Sequence, residues 1–252
     1  MLAAKPVASP MVPTDRLQLT SGTPLADGSE YRQIFGSLQY FHFTRPDIAF
    51  AVNKLSQFMH RPTNIHWLAV KRVLRYLAGT KDRGIFLCRN NTISLHAFSD
   101  DDWGGNKDDY TSTGAYIIYL GSHPVAWSSK KQKSVSRSST EAEYRAVADT
   151  TSELCWVVSL LQELGLKFVT QPVIYCDNVG ATYLAANPVF HSRMKHVALD
   201  YHFIRELVQS GFLRVSHVFT KDQLAGALTK PVSRSLLSVN LSKIGLSSGR
   251  SS

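Results

Sequence analysis

Three adjacent aspartates, Asp100, Asp101 and Asp102, close the apolar run of "TISLHAFSDDDWGG" and precede two glycines. Neighbouring like charges repel, so the trio belongs either on a solvated turn or around a cation. Side chains alternate along a strand, which puts Asp100 and Asp102 on one face and Asp101 on the other. Asp100 comes first after the apolar run and is expected at the strand end against the core. Asp102 is expected in support and Asp101 in plain solvent.

Two further acids have spacing that needs explaining. In "SRSSTEAEYRAVADTTSELCWVVSLL", Glu143 shares a helical stripe with Ala146, Val147, Thr150, Leu154, Val157, Val158 and Leu161. A carboxylate heading a core-facing stripe is costly unless paired or bound to a cation. Glu141 has a structural role available instead, in an S-x-x-E capping box with Ser138 and beside Arg145. Asp177 follows the strand-like "PVIYC", where acids at strand ends build sites in open α/β sheets, although "DNVGA" also reads as a helix cap. Together Asp100, Glu143 and Asp177 make a hard-oxygen set suited to Mg²⁺.

The surrounding segments must position these groups. Residues 1–28 are rich in Pro, Ser and Ala and read as an extended lead-in. Residues 29–83 hold helical stretches punctuated by "TRPD" and "HRPTN". The third stretch puts Trp67, Val70, Val73, Leu74 and Leu77 on one side and Lys71, Arg72 and Arg75 on another. From about residue 84 the period changes. "GIFLC", "TISLHAFS", "GAYIIYL" and "PVAWSS" read as strands, with "GSHP" as a tight hairpin connection. A long helix over about 139–164 ends at Gly165. A strand, a short helix, a helix over about 194–209, the strand "FLRVSHVF" and a short helix from about 221 follow. Residues 233–252 are Ser-rich and read as a frayed tail.

The net charge of +9 is unevenly spread: residues 51–91 carry eight Lys and Arg against the single acid Asp82. Such a field attracts polyanions, nucleic acid foremost. Cys88, Cys155 and Cys176 are far apart and lack CxxC spacing, which gives no zinc signal and suits a reducing, intracellular setting, cytoplasmic or nuclear. "SELCWVVSLLQELGL" is too short and too charged to span a bilayer.

These motifs carry a family likeness. "FSDDDWGG…TSTGAYIIYLG…VAWSSKKQKSVSRSSTEAEYRAV" and "IYCDNVGA" closely resemble the RNase H domain of copia-type LTR retrotransposon Pol polyproteins. "NPVFHSRMKHVALDYHFIRE" and "QLAGALTKP" continue the likeness to about residue 232. "YRQIFGSLQYFHFTRPDIAFAVNKLSQFM" and "HWLAVKRVLRYLAGT" resemble the thumb and connection that follow a reverse-transcriptase palm. The resemblance implies an α/β RNase H-like fold over residues 84–232: a mixed five-stranded sheet flanked by helices and preceded by a small helical segment. It implies two-metal hydrolysis of RNA paired to DNA, with Mg²⁺ or Mn²⁺ held by Asp100, Glu143 and Asp177. It also implies an RNA–DNA hybrid as partner, and the missing reverse-transcriptase palm and fingers as another.

One departure bears on catalysis. The family's fourth carboxylate falls in "Q-L-A-D", and here Gly226 occupies that position. Asp222, one turn earlier on the expected helix, is displaced by roughly 5–6 Å along its axis, which is poor for direct substitution. The expectation is a site short of one ligand, with hydrolysis reduced or lost; the alternative is a non-catalytic RNA- or DNA-binding remnant. "FSDD" mimics a polymerase turn only superficially, because the preceding residues read as helices. Lys130, Lys131, Lys133 and Arg137 precede the Glu143 helix and are candidate phosphate contacts, with Lys71, Arg72, Arg75, Arg193 and Lys195. Trp103 and Trp127 read as core or site support rather than base-stacking groups.

Overall fold

The computed structural model describes residues 4–14, 17–166, 168, 170–187 and 197–249. The chain divides into two compact units. The first comprises residues 1–86, 107–109 and 230–252, and the second residues 87–106 and 110–229.

The N-terminal part of the first unit holds three helices: α1 (Ser29–Phe41), α2 (Ala49–Ser56) and α3 (Asn64–Ala78). The two proline motifs act as the sequence suggests. Pro46 opens a 3-10 turn before α2. Thr63 caps α3, its hydroxyl accepting from the His66 N–H while the His66 ring bonds the Thr63 N–H. The buried face of α3 is His66, Val70, Val73 and Tyr76, rotated from the expected Trp67, Leu74 and Leu77. At the α1–α2 corner, Arg45 forms a bidentate pair with Asp47 (2.9 and 2.7 Å) and also donates to the Thr80 carbonyl and hydroxyl. Tyr76 donates to Asp47 at 2.6 Å. Both charges there are buried, so this network is stable only while each partner is present.

The expected frayed tail is instead structured. α7 (Arg234–Ile244) buries Leu237, Leu241 and Ile244, and ends at Gly245 with φ 96°, a left-handed cap that favours glycine. β7 (Leu246–Ser248) pairs antiparallel with β1 (Arg83–Ile85), so "GIFLC" contributes its strand to this two-stranded ribbon rather than to the main sheet. Serines on the outer face of α7 hid a helical apolar period. Described residues of the lead-in form neither helix nor strand, although Met11 and Leu17 are buried.

The second unit holds the mixed five-stranded sheet, in the order β4-β3-β2-β5-β6. β2 (Leu95–Asp102), β3 (Thr113–Leu120) and β4 (His123–Lys131) form an antiparallel meander. The "GSHP" hairpin has a two-residue loop whose first residue, Gly121, takes φ 59°, as tight hairpins demand. β5 (Val173–Cys176) and β6 (Arg214–His217) add parallel strands. Helices α4 (Ser139–Glu163), α5 (Val179–Ala186) and α6 (Ala198–Gln209) flank the sheet. The core joins Leu95 and Ala97 of β2, Tyr144, Val147, Leu154 and Val158 of α4, and Ile174 of β5. The architecture is therefore the expected α/β class, with a mixed five-stranded sheet. The helix expected from about 194 begins at Ala198 among the described residues, and residues 188–196 lie outside them.

The short helix expected from about 221 is two 3-10 turns, Thr220–Asp222 and Leu224–Ala227, separated by extended Gln223. Asp222 and Gly226 thus do not share an α-helical face.

Candidate metal centre

β2 and β5 run parallel, and their last paired residues are Ser99 and Cys176. The next residues are Asp100 and Asp177, so the register brings two carboxylates together where the β2–β5 pairing ends. Asp100 is 3% exposed. Glu143 enters from the first turns of α4, which Ser138 caps by accepting from the Glu141 N–H at 3.1 Å. Glu141 itself pairs with Arg145 at 2.9 Å, the neighbour its spacing suggested, and accepts from the Arg137 N–H, one residue before the cap. The helix-cap duty at α5 falls to Asn178, which accepts from the Ala181 N–H at 3.0 Å, and Asp177 is not used for it.

Asp100, Glu143 and Asp177 each offer one oxygen, and these atoms lie within 4.8 Å of one another. Among the described residues they form the group of acids, histidines and cysteines able to hold a metal ion; Asp102 and Asp222 are outside it. Burial, followed by the charges of Asp100 and Asp177, pushes the Glu143 carboxyl up to about 9. The Cys176 thiol donates to Glu143 at 3.7 Å. Three carboxylates this close cannot all ionise without a counter-charge. All-oxygen donors, buried and mutually repelling, fit a hard divalent cation of the Mg²⁺ or Mn²⁺ kind.

The acidic triplet divides differently from expectation. Asp101 is not in solvent: it is 7% exposed and accepts from Gln132 Nε2 at 2.7 Å. Alternation turns it toward α4 with Leu95, Ala97 and Ser99, where β3 and α4 cover it. Burial raises its carboxyl to about 7. The Asp102 carboxylate bends over Gly105, where an added Cβ would collide with it.

Gly226 faces the cluster. A Cβ built there would lie 3.6 Å from Asp100 Oδ2, in ordinary contact, and the backbone is not in the left-handed region. A Cβ is accommodated at this position, and an aspartate there would extend its carboxyl from a point in contact with Asp100. Gln223 Nε2 donates to the Ser99 carbonyl at 2.9 Å, which holds this segment against β2.

The candidate phosphate contacts separate into groups. In the first unit, Arg72 donates to Ser9 Oγ at 3.0 Å and Arg75 to the Lys5 carbonyl at 2.7 Å, so the lead-in occupies part of that basic stripe. Lys71 sits over the Trp67 ring at 5.1 Å. In the second unit, Lys130, Lys131 and Lys133 line a pocket of about 470 Å³ with Arg145, Asp149 and Glu153; the three clustered carboxylates do not line it. Arg137 is exposed. Arg193 and Lys195 lie outside the described residues. Trp103 is 53% exposed, so it does not fill the core; its indole donates to the Ser136 carbonyl at 2.9 Å and ties the end of β2 to the loop before α4. No helix among the described residues is long and apolar enough to cross a membrane.

Fold and site together define an α/β domain with an all-oxygen carboxylate centre at the carboxyl end of its sheet. No family model matches the chain. It is 67% identical over 246 residues to the retrovirus-related Pol polyprotein from transposon RE1 of Arabidopsis thaliana, and 68% identical to that from transposon RE2. The corresponding polyprotein from transposon TNT 1-94 of Nicotiana tabacum is 38% identical over 256 residues. Each match covers 98% of this chain, but only 17–19% of the polyprotein. The chain belongs to the copia-type retrotransposon Pol polyprotein family and spans under a fifth of these relatives' length. Among solved structures, the chain is similar to LC11-RNase H1 isolated from compost: 13% identity, TM-score 0.42, covering 55% of this chain and 94% of that one. The N-terminal RNase H domain of rv2228c from Mycobacterium tuberculosis matches at 13% identity and TM-score 0.39, covering 60% of this chain and 98% of that one.

Proposed function

We propose that the second unit is a ribonuclease H-type endonuclease domain of a copia-like Pol polyprotein, acting on the RNA strand of RNA–DNA hybrids, with turnover impaired by Gly226. The observation that carries the reading is the convergence of Asp100, Glu143 and Asp177 within 4.8 Å at the end of the sheet. Divalent cations bound there would supply water activation and charge neutralisation at the scissile phosphate. Asp100 and Asp177 would hold the cation from the sheet and Glu143 from α4, where Glu143 would bind it as the ionised carboxylate. Lys130, Lys131, Lys133 and Arg137 are proposed to hold the hybrid backbone through sequence-blind contacts, with Lys71, Arg72, Arg75, Arg193 and Lys195 as further contacts.

Gly226 favours a second reading on a specific observation. The position that touches Asp100 supplies no carboxylate, so a hybrid-binding domain without turnover is the alternative. Cleavage of a labelled RNA–DNA hybrid with Mg²⁺, then Mn²⁺, separates the two when the chain is compared with Asp100→Asn. Slow cleavage abolished by Asp100→Asn supports the nuclease. Salt-sensitive binding with no cleavage under either ion supports the remnant.

A further inference from the structure

Thr229 is fully buried, three residues beyond Gly226, and 129 residues from Asp100 in sequence. Its hydroxyl lies 2.5 Å from Asp100 Oδ2 and 3.2 Å from the Gly226 carbonyl. One O–H can donate to only one of them. The shorter contact has the length of a bond from a hydroxyl to a carboxylate, about 2.5–2.7 Å, and such bonds are roughly twice as strong as neutral ones. The backbone around Thr229 is pinned on two sides. Gln223 bonds the Ser99 carbonyl at 2.9 Å, and Ser129 Oγ donates to the Leu228 carbonyl at 2.7 Å. Both anchors lie in the sheet that carries Asp100, so the hydroxyl is held in place by the same element whose carboxylate it touches.

We propose that Thr229 is a positioning residue for the metal centre: its hydroxyl fixes the rotamer and plane of the Asp100 carboxylate, so that the group faces Glu143 and Asp177. The segment that lacks a ligand at Gly226 still orients one through Thr229. If Thr229 served packing alone, valine would replace it without effect, because the two side chains have the same shape. This role rests on the metal-centre reading of the three carboxylates.

The test is Mn²⁺ binding, followed by electron paramagnetic resonance, for the chain as it stands and for Thr229→Val and Thr229→Ser. Removing a group that orients a metal ligand costs about 10–100-fold in affinity. Thr229→Val is expected to weaken Mn²⁺ binding about tenfold or more, and Thr229→Ser, which keeps the hydroxyl, to restore it to within about threefold. In an Asp100→Asn background, Thr229→Val should bring no further loss. Melting curves check the fold, and Thr229→Ala gives the same comparison if the valine variant does not fold. Equal affinity for valine, serine and parent chains overturns the role of Thr229 and leaves the metal centre standing. Absence of Mn²⁺ binding by the parent chain overturns the metal reading itself, and the role of Thr229 with it.

Discussion

Asp100, still within β2, and Asp177, just past β5, stand at the same level of neighbouring parallel strands, each one residue beyond the Ser99–Cys176 pair. A shift of one residue in that register would turn one carboxylate to the other face of the sheet. The core on the α4 side therefore protects the site: Ala97, Ile174 and Cys176, all fully buried, fix the register that aligns the two acids.

Proton linkage gives the first prediction. Glu143 titrates near 9 in the folded chain against an ordinary value of 4.5. Below about pH 4.5 both folded and unfolded chains hold the proton, and its stabilising contribution is complete. Between these values only the folded chain holds it, so rising pH favours unfolding, and the contribution is lost as pH passes 9. Without divalent ions, denaturant midpoints should fall from about pH 5.5 to about pH 8.5. Asp101, at about 7, contributes only to the lower part of that decline. Glu143→Gln should flatten the part above about pH 7, and Mg²⁺ should do the same in the parent chain by favouring the ionised triad. An unchanged slope in Glu143→Gln would show that the decline has another origin.

The second prediction concerns the buried pair in the first unit. Asp47→Ala leaves Arg45, 6% exposed, without its bidentate partner. Breaking a buried pair costs about 3–5 kcal/mol. Equilibrium unfolding in urea should show a loss of that size, and a loss under about 1 kcal/mol would mean that Arg45 finds water or another acceptor.

Asp101 and Asp100 supply a third, as neighbours with different duties. Asp101→Asn keeps an oxygen for Gln132 and should change Mn²⁺ affinity by less than about twofold, whereas Asp100→Asn should lower it at least about tenfold. Calorimetric titration of both variants distinguishes them; equal losses would put Asp101 in the metal centre.

Salt dependence tests the proposed nucleic-acid contacts. Each phosphate neutralised contributes a slope near −0.9 in log affinity against log salt for duplex DNA. Replacing Lys130, Lys131 and Lys133 by alanine should make the hybrid-binding slope shallower by about one for every phosphate no longer neutralised. A slope unchanged by the triple substitution would remove these lysines from the interface.

Much of this was legible in the sequence, for identifiable reasons. Alternating apolar residues marked β2, the glycine-led loop marked the hairpin, and the 3.6-residue stripe of α4 exposed Glu143 as an acid on a buried face. Asp177 was separable from a helix cap only in the structure, where Asn178 takes that duty. Asp101 was misread because local alternation names the two faces of a strand without saying which is covered, and α4 covers its face. The pairing of β1 with β7 joins residues 83–85 to 246–248, a contact between distant segments that no local pattern carries. Thr229 against Asp100 is hidden for the same reason: a threonine beside "QLAGAL" looks like any other until the chain folds.

The proposal that Gly226 limits turnover is tested most directly by comparing Mg²⁺-dependent cleavage of an RNA–DNA hybrid by the parent chain and by Gly226→Asp. The added carboxylate starts from a Cβ 3.6 Å from Asp100 Oδ2. The predicted result is an initial rate raised at least about tenfold, corresponding to roughly 1.4 kcal/mol of transition-state stabilisation. Equal and robust rates for the two proteins would contradict the claim that this centre lacks a ligand it needs.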